Sequence, residues 1–244
     1  MMTEYEKKAF QELEAWEKKM RKRQTLAARY AKVVQNKINA KIPEKVHNII
    51  TESIKKTVTA VLVGSEYTTK RTPLKEASLE QREELVLEKV KVYKRIASAE
   101  GAGTGAGGLL LGAADFPLLL GIKMKFLFDA ASLYGFDVKD YRERLYILHL
   151  FQLAFSSDKK RMEVLEEIKS WEQTAESLPV KSTYLQTIDW QSWQQEYRDH
   201  IDLVKLFQLL PGIGAVIGAY ANYKLLDELS ETAMNGYRMR FFNK

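Results

Sequence analysis

The sequence predicts an all-α protein: a single compact multi-helix domain with a central pair of glycine-rich helices and a basic amphipathic N-terminal helix. Apolar residues recur every three to four positions along most of the 244 residues, the spacing of one helix face. Only five prolines interrupt these segments. The β-branched run TVTAVLVG (57–64) finds no second convincing strand to pair with, so we assign it to a helix.

The chain divides into a basic helical arm, residues 1–40, and an all-α domain, residues 41–244. In the arm, the stretch QTLAARYAKVVQNKINAKI (24–42) places these apolar residues on one side: Leu26, Tyr30, Val33, Val34 and Ile38. Arg21 and Lys32 fall opposite that face, and Lys22 and Arg29 lie on its flank. Pro43 begins the next predicted helix, whose apolar face contains Val46, Ile49, Ile50 and Ile54.

The middle of the chain carries clear helix start and stop signals. Ser78 and Gln81 form a capping box that opens a helix ending near Glu100–Gly101. Its apolar face contains Val86, Val90, Tyr93 and Ala97. Asp115 and Pro117 begin the next helix, which Gly135 stops.

The C-terminal half predicts further helices. Asp137 is the expected cap of a helix whose centre, LYILHLFQLAF (145–155), is apolar nearly all round and therefore central to the core. The next helix ends at Pro179 and carries a stripe of Val164, Ile168, Trp171, Ala175 and Leu178. A helix with Trp190, Trp193 and Tyr197 follows, and a last one is expected over about 212–240.

Composition narrows the function classes. The chain has no cysteine, which excludes disulfides, thiolate zinc sites and a cysteine nucleophile. The N-terminal stretch lacks the apolar core of a secretory signal, and no segment reaches the about 20 predominantly apolar residues of a typical membrane span. We therefore expect a cytoplasmic protein, associated at most peripherally with the inner face of the cell membrane.

The positive charge is concentrated near the N-terminus. Residues 21–60 contain ten Lys and Arg against two Glu, a net charge of +8, whereas the whole chain carries +6. Such a segment favours an anionic partner. The residues expected to contact an anionic membrane surface or a transporter's cytoplasmic face are Arg21, Lys22, Arg23, Arg29 and Lys32. A solvated helix face is the alternative, and nucleic acid is disfavoured because no nucleic-acid-binding motif accompanies the segment.

Motifs for catalysis and cofactors are weak. Gly103, Gly105 and Gly108 match G-x-G-x-x-G, but the preceding EKVKVYKRIASAE (88–100) predicts a helix, whereas dinucleotide binding needs a strand there. The histidines occur in no recognised metal-binding spacing. We therefore assign no catalytic, cofactor-binding or metal-binding residue, expect no cofactor, and lean against an enzyme.

Asp115 and His149 keep a second hypothesis open. Asp115 lies in an apolar setting, either as a helix cap or as a functional carboxylate with a perturbed pKa. His149 lies among Leu148, Leu150 and Phe151, which favours a core histidine bonded to a backbone carbonyl over a general base. Together they define the alternative function, a soluble enzyme or ligand-binding protein with an apolar pocket.

Two glycine pairs predict close helix packing. Gly108 and Gly112 are four residues apart, as are Gly214 and Gly218, and this spacing leaves a side-chain-free patch on a helix face. Since glycine costs roughly 1 kcal/mol per helical position relative to alanine, a compensating contact is expected. We predict that the two segments pack against each other; a membrane-inserting hairpin is the alternative.

The same segments resemble the EcsC family of bacterial proteins. The similarity lies in EGAGTGAGGLLLGAADFPLLLGIKMKFLFDAASLYGFD (100–137) and LLPGIGAVIGAYANYKLLDELSETAMNGYRMRFF (209–242). The matching positions are Asp115, Pro117, Tyr134, Gly135, Pro211, Gly212, Gly214, Gly218, Asn222, Arg240 and Phe241. The resemblance implies a cytoplasm-facing protein serving a membrane or an ATP-binding-cassette (ABC) exporter. No catalytic residue is implied, because the family's activity is unassigned.

Overall fold

The computed structural model describes residues 2–22, 44–63, 73–74, 76–105, 116–156, 158–177 and 214–243. These ranges contain eight helices and no strand, as the sequence predicts. The helices are α1 (Glu4–Arg21), α2 (Glu44–Val63), α3 (Leu79–Gly105), α4 (Phe116–Leu133), α5 (Tyr141–Phe155), α6 (Asp158–Lys169), α7 (Trp171–Ser177) and α8 (Gly214–Phe242).

Helix α1 begins at a capping box. The Thr3 hydroxyl accepts from the Glu6 amide at 3.2 Å, and the Glu6 carboxylate accepts from the Thr3 amide at 2.8 Å. Ala9, Leu13 and Trp16 are buried against the rest of the protein. The first half of the predicted arm is thus a packed helix. Residues 23–40 lie outside the described residues, so the division at residue 40 stays a prediction.

Helix α3 begins where predicted and ends later. Ser78 and Gln81 form the expected capping box, with bonds of 3.0 and 3.3 Å. The expected end at Glu100–Gly101 is wrong, because the helix continues to Gly105. Each glycine costs about 1 kcal/mol within a helix. Helix α3 packs along α8, and this packing is our explanation for the extension.

Gly135 ends the segment that contains α4, as predicted. The Gly135 amide bonds the Ser132 carbonyl at 3.1 Å and the Phe136 amide bonds the Ala131 carbonyl at 3.0 Å, the two bonds of a Schellman motif. The predicted cap Asp137 is wrong. Residues 137–140 form a turn, so the cap of α5 is Asp140, whose carboxylate accepts from the Arg142 amide at 2.9 Å.

Helix α5 occupies the centre of the core. Its residues Leu145 to Phe151 are buried without exception, as its apolar sequence predicts. The stripe after it runs over two helices instead of one, since a turn at Ser170 separates α6 from α7. Val164, Ile168, Trp171 and Ala175 are nevertheless all buried. Leu178 and residues 179–213 lie outside the described residues.

Helix α8 packs antiparallel along α3. Arg238 meets Glu83 near one end of the pair, and Asp227 meets Lys94 farther along. Helix α1 also runs antiparallel to α8, since Glu12 meets Arg238 and Lys19 meets Glu231. Among the described helices, none combines the length and apolarity that crossing a bilayer requires.

Candidate functional site

Two of the five predicted basic contact residues are described. Arg21 is the last residue of α1, and its Nη2 lies 2.6 Å from Glu166 Oε1 of α6. Lys22 is exposed and terminates α1 in an extended conformation. Arg23, Arg29 and Lys32 lie outside the described residues. The surface predicted from the five side chains therefore stays a prediction.

The predicted glycine contact is described on one side. Gly214 and Gly218 lie in the first turns of α8, which packs on α3. Gly108, Gly112 and Asp115 lie outside the described residues. Pairing of the two glycine motifs and the cap at Asp115 stay predictions.

His149 has the structural role that the sequence favours. Its Nδ1 lies 2.8 Å from the Leu145 carbonyl oxygen, and its ring packs edge-on against Trp171. The other ring nitrogen lies 3.4 Å from Glu167 Oε2, a partner that the sequence did not predict. The hydrogen bond from His149 lowers the pKa of the Glu167 carboxyl, against the opposing effect of burial. The contacts of His149 therefore do not support the alternative hypothesis of an apolar ligand pocket near Asp115 and His149.

Glu167→Gln is expected to remove stability that depends on the carboxylate. Because the folded-state pKa of Glu167 lies below its ordinary value of 4.5, the charge stabilises the fold above that pH. The stabilisation is lost as pH falls through the folded-state pKa. Glu167 is partly exposed, so the expected loss near neutral pH is roughly 0.5–1 kcal/mol.

Urea unfolding of the wild type and Glu167→Gln across an acid-to-neutral pH series measures this difference. Glu163→Gln is the matched control, because Glu163 pairs with Lys160 on the surface. A Glu167→Gln deficit that stays constant into strong acid would contradict the proposed pairing.

A buried ion pair joins α3 to α8 at the end opposite Gly105 of α3 and Gly214 of α8. Glu83 is fully buried, and its carboxylate accepts a two-pronged contact from Arg238, with both nitrogen–oxygen distances 2.7 Å. The Tyr134 hydroxyl donates to Oε1 at 3.0 Å, and the Tyr5 hydroxyl donates to Oε2 at 2.7 Å. Four donors therefore surround one carboxylate and tie α1, α3, α8 and the end of α4 together.

This environment shifts the pKa of its members. Burial raises the pKa of Tyr134 well above its ordinary value, and the neighbouring Glu83 charge raises it further. Burial alone would lower the pKa of Arg238, but the hydrogen bonds and charge of Glu83 outweigh burial, so this pKa is raised. Arg238 stays charged and both tyrosines stay protonated. All four lone-pair positions of the Glu83 carboxylate accept hydrogen bonds, so none is left to accept a proton from a substrate.

A second ion pair lies beside it. Glu143 of α5 accepts from Arg240 Nη1 at 2.5 Å and from the Tyr237 hydroxyl at 2.8 Å. The guanidinium lies over the Phe136 ring, 3.8 Å from its centre. Burial raises the pKa of Glu143, whereas Arg240 and Tyr237 oppose the rise. This pair locks the C-terminal end of α8 onto α5.

A surface cleft of about 450 Å³ opens next to Arg240. It is lined by Ile168, Lys169, Ser170, Trp171, Glu172, Gln173, Arg240 and Asn243. Its cations are already engaged, since Lys169 Nζ lies 2.6 Å from Glu17 and Arg240 bonds Glu143. Within the described ranges, no group of three His, Asp or Glu side chains is placed to hold a metal ion.

The chain matches the model of the EcsC protein family over residues 7–242. This chain belongs to the EcsC protein family. It is 47% identical over 234 residues to Protein EcsC of Bacillus subtilis (strain 168), covering 96% of this chain and 95% of that protein. It is also 37% identical over 144 residues to the uncharacterized protein YdbA of the same organism, covering 59% and 52% of the two chains. No solved structure matches the chain.

The EcsC match spans both buried ion pairs, which sequence reasoning missed. Glu83 is three residues before Val86 and seven before Val90, so it occupies a position of the apolar stripe of α3. A charged residue at a stripe position was the signal that could have identified it. Glu143 offers no such signal, because it lies in the mixed-charge stretch KDYRER (139–144) just before the apolar centre of α5.

Proposed function

We propose that this EcsC-family protein is a non-catalytic accessory protein that binds the anionic inner surface of the cell membrane through its basic N-terminal region. One observation carries the proposal: α1 runs antiparallel to α8 and ends at Arg21, level with the middle of α8. Its C-terminus thus points toward the end of the protein where α8 begins. The segment of net charge +8, residues 21–60, starts at Arg21.

Electrostatics and the buried pairs support this reading. Each Lys or Arg near an anionic membrane surface contributes on the order of 1 kcal/mol. Glu83, the most deeply buried carboxylate of the described residues, has its lone pairs filled by Arg238, Tyr5 and Tyr134. A carboxylate with filled lone pairs favours a structural role for Glu83 over a role in acid–base chemistry. The accessory role is inferred from the family resemblance, which implies a protein that serves a membrane or an exporter.

Vesicle flotation at low and high salt tests the proposal. We expect the protein to float with phosphatidylglycerol vesicles at low salt, to be released at high salt, and to ignore neutral phosphatidylcholine vesicles. Arg29→Glu/Lys32→Glu is expected to weaken binding. The matched control is Lys7→Glu/Lys8→Glu, the same charge change on exposed residues near the start of α1.

Salt-insensitive partitioning that is equal on neutral and anionic vesicles would contradict a basic membrane-binding surface. Equal losses in the two charge variants would show that overall charge, rather than the segment after Arg21, governs binding. Binding to a membrane only when an exporter is present would assign the basic region to a protein partner.

A further inference from the structure

Three helices meet at one end of the described part of the chain, which we call the glycine end. It consists of residues 96–105 of α3, 116–125 of α4 and 214–225 of α8. Side-chain contacts show which residues of the three helices lie beside each other along the helix axes. Lys94 pairs with Asp227 of α8, and Tyr93 bonds Asp129 of α4 at 2.9 Å. Both partners run antiparallel to α3, so the start of α4, the start of α8 and the finish of α3 lie together.

Large apolar side chains are exposed at this end. Val216 is 74% exposed, Tyr220 63% and Leu118 53%, and Ile96 and Tyr223 are also exposed. Residues 216 to 225 of α8 span about 14 Å along the helix axis. Five exposed large side chains within that height form an apolar tip. Leu85, Leu87 and Val92, which lie farther from the finish of α3, are exposed as well.

A ring of basic residues lies directly behind the tip. Lys91 and Arg95 of α3 and Lys224 of α8 are exposed, and Lys125 of α4 is partly exposed. Over residues 89–105, 116–129 and 214–228 there are seven Lys and Arg against four Asp and Glu.

Two of these four carboxylates lie within ion-pair distance of lysines of the same group. Asp227 pairs with Lys94, and the buried Asp129 lies 3.6 Å from Lys125 and 3.9 Å from Lys89. Glu100 and Glu228 are the other two. The ring therefore presents positive charge to a partner that approaches the tip.

The arrangement of the tip distinguishes a bilayer from a protein partner. Lys94 points toward α8, and Ile96 is two residues later, about 200° around the helix. Ile96 therefore lies on the far side of α3 from Tyr223, which contacts Lys94. Apolar side chains on opposite sides of a helix bundle are covered together by a fluid that surrounds the tip, whereas one flat protein surface reaches only one side.

We propose that the glycine end enters the headgroup region of an anionic bilayer, with the apolar tip at the acyl boundary and the basic ring on lipid phosphates. Tyrosine is suited to this depth because its ring is apolar and its hydroxyl is polar. The inference rests on the proposed membrane function and deepens it. The apolar tip and the basic ring are then the surface that contacts the lipid.

Site-specific fluorescence tests the inference, and the absence of cysteine makes single labels straightforward. Val216→Cys and Leu118→Cys, each carrying an environment-sensitive dye, are expected to shift to the blue and resist aqueous iodide on phosphatidylglycerol vesicles. Glu84→Cys is the control, since it is exposed and lies 21 residues, about 31 Å, before the finish of α3. Its dye is expected to stay in water.

A second pair of variants tests the energetic contribution of the tip. Val216→Ser/Tyr220→Ser is expected to weaken vesicle partitioning about tenfold, because binding scales with the apolar area that enters the interface. Leu85→Ser/Leu87→Ser is the matched control on exposed apolar residues of α3 far from the glycine end, and it is expected to bind like the wild type.

The outcomes separate the two proposals. Flotation with no dye shift at residues 118 and 216 would overturn the tip and leave the basic region as the contact. No flotation under any condition would overturn both proposals. Dye shifts at all three positions, or shifts that occur without vesicles as protein concentration rises, would overturn the tip in favour of unfolding or contact between copies.

Discussion

Replacing Glu83 with glutamine is expected to destabilise the protein by about 3–5 kcal/mol, the usual cost of breaking a buried ion pair by removing one charge. The substitution keeps the shape of the side chain but replaces a charged acceptor with a neutral amide. Among the described residues, Glu12, 2.9 Å away on the surface side, is then the carboxylate that compensates the charge of Arg238. Both oxygens of Glu83 accept hydrogen bonds from donors, so the amide nitrogen of glutamine, itself a donor, would face Arg238 or a tyrosine hydroxyl.

Chemical denaturation monitored by circular dichroism measures this effect. Glu84→Gln is the matched control, because the neighbouring Glu84 is exposed, and a change within about 0.5 kcal/mol is expected. The double variant Glu83→Leu/Arg238→Met is expected to recover part of the loss, since it leaves no uncompensated charge. A Glu83→Gln loss below about 1 kcal/mol would show that the pair contributes little.

Gly135→Ala is expected to cost about 2–5 kcal/mol, because backbone strain and a steric clash add at one position. Gly135 has φ = +92°, a conformation that side chains with a Cβ rarely adopt. A Cβ there would lie 2.8 Å from the Leu74 carbonyl oxygen and 3.0 Å from Arg82 Nη1. Neither neighbour moves easily, since the Leu74 amide bonds the Ser132 carbonyl and Arg82 bonds the Tyr134 carbonyl.

Thermal and urea unfolding of Gly135→Ala and Gly135→Asn separate the two causes. Asparagine tolerates positive φ better than alanine but carries the same Cβ, so it is expected to recover the conformational part only. If Gly135→Asn matches the wild type, the contact with Leu74 is unimportant. If Gly135→Ala matches the wild type, both causes are refuted.

Local signals in the sequence predicted several helix ends correctly. The Ser78–Gln81 capping box and the stop at Gly135 depend on bonds between residues a few positions apart, so a short stretch of sequence suffices to recognise them. His149 also bonds a backbone carbonyl four residues away, as expected. These predictions were confirmed because their partners are neighbours in the chain.

Predictions of helix ends failed where a neighbouring helix or a local turn competes with the signal. A glycine was expected to end α3 near residue 101, but α8 packs beside α3, which continues to Gly105. Asp137 and Asp140 are both acceptable caps, and the turn between them places the start of α5 after the second. The apolar stripe from Val164 to Leu178 predicts one helix, but the helix breaks at Ser170, and the face from Val164 to Ala175 stays buried across the break.

By itself, the sequence determined the all-α class, the family and the uneven charge, because periodicity, motif spacing and residue counts require no knowledge of distant contacts. Only the tertiary structure decided that Glu83 meets Arg238, 155 residues away, and that large apolar side chains of α3, α4 and α8 are exposed at the same end of the described helices. The physical reason is the same for both. A charge or an apolar residue on a helix looks identical in the sequence whether a neighbour covers it or solvent does, and helix packing alone makes that choice.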